Sequence, residues 1–328
     1  MRLGGVAAYL VEVTGRNEVQ AALAWAAERQ LPAIMIGGGS NIIWRDEGYG
    51  GLVIVNKIMG YESQAEDAVN CYLTLGSGEN WDSVVARTVE AGLTGIEALS
   101  LVPGTVGATP VQNVGAYGQE ISDTLVTVEA YDNQVGSFVN LANPDCAFGY
   151  RTSRFKTTDK GRFFITAITL HLMRGNPQPP FYGSVQKYFE DNGVTAYTPA
   201  ALRQAVVAIR SAKLPDPAVI NNTGSFFANP IVGADQLIAL SSEFENLPRW
   251  PRDDGSAKLS AAWLIEQAGF KDYHDSATGM ATWPRQALVF VNEQAKTTAD
   301  LLAFKQKVVA AVKEKFGIEL QQEPELLP

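Results

Sequence analysis

The chain has 328 residues, a formal net charge of −9 and a pI near 4.9, with 46% apolar and 19% charged residues. That length exceeds one ordinary core and calls for two or three domains. The acidic balance argues against a nucleic-acid partner, which needs a basic face, yet leaves room for an anionic small molecule held by local Lys or Arg. No apolar run approaches the roughly 20 residues of a membrane span, and no basic-then-apolar leader opens the chain, so a cytoplasmic protein without a membrane partner is expected. The two cysteines, Cys71 and Cys146, lack metal-ligand spacing and fit a reducing compartment. The two histidines are His171, in an alternating strand pattern that reads as structural, and His274, so neither a metal site nor a histidine-centred triad is expected.

In chain order, residues 6–13 read as a strand. Asn17 is placed to cap a helix running to Gln30, with Glu18 in its first turn and Val19, Ala22, Leu23 and Ala26 as its apolar stripe. Residues 32–36 form the next strand, which ends in Gly37-Gly38-Gly39-Ser40-Asn41. This βαβ unit resembles a small nucleotide-binding half but is not the dinucleotide fingerprint, because residues 42–44 read as strand where that fingerprint starts a helix. A pyrophosphate can sit in a nest of consecutive N–H groups there, with Ser40 and Asn41 as side-chain donors; a tight turn has the same composition. A strand at 51–57 follows, and a second module begins near Gly60, with a strand at 71–76 and a helix at 79–91 carrying Trp81, Val84, Val85 and Thr88 on one side.

Residues 103–119 organise the chain: Pro-Gly-Thr-Val-Gly-Ala-Thr-Pro-Val-Gln-Asn-Val-Gly-Ala-Tyr-Gly-Gln, with almost no charge. Glycine is needed where backbone turns with positive φ or approaches a ligand closely; a plain surface loop is the other reading. Strands are expected at 124–131, 136–140 and 163–173. Between the last two, residues 148–156 alternate aromatics with cations, and Arg151 there is either functional or a solvated surface charge. A proline-rich break at 175–180 leads to Tyr182 and Tyr188. A helix from Thr198-Pro199 carries Leu202, Val206 and Ile209 on one face and stops at Lys213. Residues 221–230 drive a polar turn into the pair Phe226-Phe227. A helix at 259–268 ends at Gly269, Gln286 opens a strand at 287–291, and a last helix spans 298–316.

Seven segments carry a resemblance: Ile-Gly-Gly-Gly-Ser-Asn at 36–41, Val-Pro-Gly-Thr-Val-Gly at 102–107, Gln-Asn-Val-Gly-Ala-Tyr-Gly at 112–118, Phe-Gly-Tyr-Arg at 148–151, Lys-Leu-Pro-Asp-Pro at 213–217, Gly-Ser-Phe-Phe at 224–227 and Glu-Pro-Glu at 323–325. In this order they resemble the UDP-N-acetylenolpyruvoylglucosamine reductases, flavoenzymes of peptidoglycan synthesis, over nearly the whole chain. The insertion around Tyr182 resembles the longer of that family's two forms. The resemblance implies an α+β fold: an FAD module of the vanillyl-alcohol oxidase type in two subdomains (1–57 and 58–197), a substrate domain (198–318) and a tail (319–328) returning to the active site. It further implies FAD, NADPH and a UDP-sugar, with activation by potassium; a monomer is expected, and the lack of His or Cys in both glycine-rich segments points to non-covalent FAD. Gly37, Gly38, Gly39, Ser40 and Asn41 match positions that hold FAD, as do Pro103, Gly104, Thr105, Gly107, Ala108 and Thr109. So do Asn113, Gly115, Tyr117, Gly118 and Ile165. Arg151 and Glu325 match the pair that polarises the enolpyruvyl group, and Ser225 matches the proton donor. Tyr150, Tyr182, Lys213, Asn229 and Gln286 match substrate positions. The chain departs from the family at its start, Met1-Arg-Leu-Gly-Gly5, and ends three residues after Glu325, where many relatives continue.

The residue chemistry agrees with these roles. Reducing an enol ether of pyruvate adds hydride at C3 and leaves carbanion character at C2, which the carboxylate spreads. A guanidinium is the apt partner for that carboxylate, being always charged and able to bind it bidentately. A carboxyl group beside it can donate a hydrogen bond if a dry site raises its pKa, and a hydroxyl can protonate C2. Two other functions compete. One is an oxidase on the same flavin fold; covalent-flavin oxidases often carry His or Cys in the pyrophosphate loop, and residues 37–41 hold neither. The other is a non-catalytic nucleotide-binding module, against which the Arg151, Ser225 and Glu325 set argues.

Overall fold

A computed structural model describes residues 1–328. The chain divides into two units: residues 7–40 with 49–212, and residues 1–6, 41–48 and 213–328.

In the first unit, strands Ala7–Val13 and Ala33–Ile36 flank Tyr49–Asn56 in a three-stranded parallel sheet. Parallel strands need a crossover, and helix Arg16–Glu28 supplies the one from Ala7–Val13 to Ala33–Ile36, burying Val19, Leu23 and Ala26. Its cap differs from expectation. Gly15 is the N-cap, without a side-chain bond, and the Glu18 carboxylate reaches back to accept from Thr14 N (2.6 Å) and Oγ1 (3.0 Å). Asn17 lies already inside the first turn, where it cannot cap.

A larger antiparallel sheet follows, in the order Ser137–Ala142, Leu125–Asp132, Phe163–Arg174, Asn70–Gly76 and Tyr61–Ala65, with Leu93–Thr94 beside Phe163–Arg174. Phe163–Arg174 alternates buried and half-open positions through most of its length, the period of a strand with one covered face. Helix Trp81–Glu90 is capped by Asn80, whose side chain accepts from Ser83 N at 3.0 Å, and buries Trp81, Val84, Val85 and Thr88. His171 is structural: a ring nitrogen lies 3.0 Å from Asn70 Oδ1 and the ring packs 5.1 Å from Tyr72. Helices Gly183–Asp191, unforeseen from the sequence, and Pro199–Lys213 close over Val185, Phe189, Leu202, Ala205 and Val206.

The second unit is built on an antiparallel sheet in the order Asn222–Ser225, Gln286–Asn292, Met280–Trp283 and His274–Asp275. Helix Thr298–Phe316 has the expected bounds, a Thr297/Asp300 capping box and Gly317 at φ 65° as its C-cap. It buries Leu301, Phe304, Val308 and Val312 against a core that includes Phe226, Phe227 and Phe290. The helix expected at 259–268 is shorter: Ala261–Ile265 is α-helical, and Glu266–Phe270 widens into a π turn with Gly269 at φ 93°. Residues 1–6 and 41–48, expected in the first FAD subdomain, group here instead. The cause is backbone pairing: Ile42–Trp44 runs parallel to Glu325–Leu327, a strand formed by the last residues.

Candidate active site

In the first unit the two glycine-rich segments meet backbone to backbone. Ser40 Oγ donates to Pro103 O (3.2 Å). A Cβ on Gly37 would collide with the Thr105 hydroxyl, one on Gly104 (φ 120°) would lie 2.8 Å from Ser40 Oγ, and one on Gly38 would touch Gly104 Cα at 3.7 Å. Residues 104–107 are tied down by Trp81 N to Gly104 O (3.1 Å), Val106 N to Glu79 O (2.9 Å) and Gly107 N to Ser77 O (2.9 Å). Thr109 is buried, its hydroxyl spent on Val106 O (2.7 Å). The N–H groups of Gly38, Gly39 and Ser40 bond to no acceptor of the chain. Consecutive open N–H groups on exposed glycine backbone, fixed against a second glycine strand, are the donor set a diphosphate needs, so the residues fit FAD. Ile165 is buried in the core, and its carbonyl accepts Asn56 Nδ2 (2.9 Å). Asn41 belongs to the other unit, where its carbonyl accepts Glu325 N (2.9 Å).

Further along, Gly115–Ala116 pairs with Gln119–Glu120 around a two-residue turn, Tyr117 (φ 48°) and Gly118 (φ 87°). Two positive φ values are what so tight a hairpin requires. The Tyr117 ring meets Tyr182 edge to face at 5.6 Å. Burial raises the pKa of both phenols, the positive charge of Arg210 opposing it at Tyr117. Arg210 also donates to Leu101 O (3.2 Å), and Arg203 grips both Asp82 oxygens (2.7 and 3.0 Å) and Ser100 (2.8 Å). Sequence reasoning missed these two arginines. Their only signal is a seven-residue spacing that puts both on one helix face.

Arg151 stands on a tight turn. Gly149 and Thr152 exchange two backbone bonds (3.1 and 3.2 Å), which leaves Tyr150 and Arg151 at the tip, Arg151 with φ 55°. Its Nη2 donates to Gly115 O at 2.7 Å, and its guanidinium carbon lies 5.2 Å from the centre of the Tyr150 ring. Asn113 is 1% exposed and turns its amide to protein groups around this turn.

In the second unit, Ser225 ends its strand half-buried, opposite Val289. The chain continues into an antiparallel bridge, Phe227 to Gln322, with Ala228 N donating to Gln321 O (3.0 Å) and Glu323 N to Phe226 O (2.9 Å). Ser225 thus lies two residues before this bridge and Glu325 three residues after it. Asn229 Oδ1 accepts Ala261 N (2.9 Å), and Gln286 opens its strand half-buried. Lys213 keeps an open side chain at a helix end. Partial desolvation lowers its pKa from the ordinary lysine value, Glu266 opposing, and its carbonyl accepts Trp283 Nε1 (3.1 Å).

Comparison with known proteins decides the family. Over 322 residues, 98% of this chain and 94% of the other, the sequence is 43% identical to a UDP-N-acetylenolpyruvoylglucosamine reductase of Chromobacterium violaceum. The chain belongs to the UDP-N-acetylenolpyruvoylglucosamine reductase family. A member from Pseudomonas syringae pv. tomato is 41% identical over 94% of this chain and 90% of its own length. The family model "UDP-N-acetylenolpyruvoylglucosamine reductase, C-terminal domain" matches residues 216–327, which hold Ser225, Asn229, Gln286 and Glu325 and leave Lys213 just outside. A model of an FAD binding domain matches residues 7–142, which hold both glycine-rich segments and stop short of Arg151. Among solved structures, the UDP-N-acetylenolpyruvylglucosamine reductase of Thermus caldophilus shares the fold, with a TM-score of 0.66, 22% identity, and coverage of 97% of this chain and 92% of that one.

Proposed function

We propose that this family member reduces the enolpyruvyl double bond of UDP-N-acetylglucosamine enolpyruvate to give UDP-N-acetylmuramate, with FAD as resident cofactor and NADPH as electron source, as a cytoplasmic monomer serving peptidoglycan precursor synthesis. The observation that carries this reading is 43% identity along 98% of the chain to a reductase of that name. When bound, FAD supplies hydride carriage, which no side chain provides.

The chain's own residues supply the rest. The open N–H groups of residues 38–40 hold the diphosphate of the cofactor, while the Ser40 hydroxyl ties their loop to Pro103 O. The Arg151 guanidinium pairs with the enolpyruvyl carboxylate, where charge accumulates as C3 gains hydride, and lowers the barrier most if it is held in place beforehand. Ser225 delivers a proton to C2. Glu325 donates a hydrogen bond to the developing carboxylate charge or returns the proton to Ser225. Tyr150, Tyr182, Lys213, Asn229 and Gln286 bind the sugar nucleotide, with Lys213 on its phosphates. The absorption spectrum of the purified protein tests the whole reading: a flavin band should bleach with NADPH and return on adding the enolpyruvyl sugar nucleotide. A colourless protein that cannot take up FAD, or a bleached flavin that the sugar nucleotide leaves bleached, would overturn it.

A further inference from the structure

We propose that Asn113 and Glu120 are positioning residues for Arg151, and that the Asn113 side chain touches neither flavin nor substrate. The proposal rests on the reading of Arg151 as the partner of the substrate carboxylate.

Arg151 adopts φ 55°. A non-glycine residue keeps that conformation only where its surroundings hold it. The holding contacts form a closed ring. Asn113 Nδ2 donates to Gly149 O (3.3 Å), at the base of the Arg151 turn, and to Glu120 Oε2 (2.7 Å). Glu120 pairs across the hairpin with Gly115, and Gly115 O receives Arg151 Nη2 (2.7 Å). From Arg151 the backbone returns to Gly149. Outside the ring, Ser153 Oγ donates to Val111 O (2.6 Å), fixing the far side of the turn to the same glycine-rich segment.

The Asn113 amide has no donor left for a ligand, and its oxygen is turned to the protein. Its two N–H groups serve Gly149 and Glu120, its oxygen accepts Ser122 N (3.1 Å), and the residue is 1% exposed. Asparagine suits the place on a second count, because its backbone takes φ 47° more readily than most residues do. Gly115 is needed for the same assembly: a Cβ there would lie 2.8 Å from Glu120 Cγ and 3.2 Å from Arg151 Nη1. The hairpin and the Arg151 turn are therefore one piece, and its register sets where the guanidinium stands.

The test uses the FAD-loaded protein and three readouts: FAD affinity by fluorescence, flavin reduction by NADPH, and flavin reoxidation by the enolpyruvyl sugar nucleotide. Asn113→Ala should leave FAD affinity and reduction within about twofold and slow reoxidation about tenfold or more, because small displacements of an oriented group cost heavily in rate. Added to Arg151→Ala, it should slow reoxidation no further, since coupled residues do not add. Glu120→Ala should behave in the same way. Glu120→Gln, which keeps an acceptor oxygen for Asn113, should lose less; this pair also carries the comparison if Asn113→Ala folds poorly. Weakened FAD binding with normal reoxidation would return Asn113 to the cofactor and overturn the proposal. Losses that multiply with Arg151→Ala would overturn the positioning role alone. A wild-type rate in Arg151→Ala would overturn the role of Arg151 itself, and the proposal with it.

Discussion

Ser225 carries the sharpest residue-level test. Its hydroxyl is a poor acid in water, so its worth as a proton donor lies in position: the strand end opposite Val289 and the bridge of the next residues to 321–323 hold it. Ser225→Ala should let NADPH reduce the flavin at near-normal speed and slow reoxidation by the sugar nucleotide about 10² to 10⁴-fold, the usual loss of a general acid, with substrate binding little changed. Stopped-flow absorbance separates the two steps, and equal slowing of both would point to a fold defect. Lys213 makes a different prediction. A cation at a helix end gains well under ~1 kcal/mol from the helix dipole, so stability should barely register Lys213→Ala. The Michaelis constant for the sugar nucleotide should rise, with flavin reduction unaffected; an unaltered constant would leave Lys213 as a helix cap.

At the scale of elements, the strand Glu325–Leu327 pairs with Ile42–Trp44 through backbone bonds, Glu325 N to Asn41 O among them. Glu325→Gln therefore leaves the strand paired, and its expected outcome, binding kept and turnover lost, reports on the carboxyl group and not on the fold. Wild-type turnover would assign that carboxyl to structure. The segment that bears Arg151 returns to its sheet through a charged brace. Arg162 clasps Asp132 with Nε (3.0 Å) and Nη2 (2.7 Å) and reaches Asp159 with Nη1 (3.1 Å), while Arg154 Nε also binds Asp159 (2.8 Å). The Arg162 hydrogen bond is the main reason the Asp132 carboxyl ionises below its ordinary value. A depressed carboxyl pKa contributes stability that is fully present above the unfolded value, and that contribution disappears as pH falls through the folded one. Asp132→Asn should accordingly lower the melting temperature at neutral pH, and the gap to wild type should start to narrow below about pH 4, where the unfolded carboxyl takes up its proton, and close only once pH has passed the lower folded value. A gap independent of pH would mean that packing, not charge, holds the brace.

For the molecule as a whole, the mode of cofactor attachment is the property to test. Neither glycine-rich segment contains Cys or His. Cys146 is buried with its thiol pKa pushed up to about 11 by desolvation, and Cys71 lies buried with its sulfur 3.1 Å from Ser63 Oγ, so neither thiol is poised to bond a flavin. Acid precipitation should release all yellow colour into the supernatant; colour retained in the pellet would show a covalent link.

The sequence by itself determined the elements whose signal is local. Helix Thr298–Phe316 was legible because its stripe, its capping box and its C-cap glycine all lie within one stretch. Phe163–Arg174 was legible from its alternation, and the glycine-rich segments from their composition and order. The candidate residues were legible as residue types in sequence, which is how the family could be read before any coordinates. Only tertiary structure decided which unit each piece serves. Ile42–Trp44 and Glu325–Leu327 come from opposite ends of the chain and meet through backbone groups that every residue possesses, so no pattern of side chains announces the pair. Tyr61–Ala65 is open over most of its length at a sheet edge and has no apolar alternation to betray it. In sequence, Asn113 could be read only as a match to a cofactor position of the family. The bonds that fill its amide come from Gly149 and Ser122 as well as the nearby Glu120, and a hydrogen bond across the fold is fixed by distance and direction, which spacing along the chain does not encode.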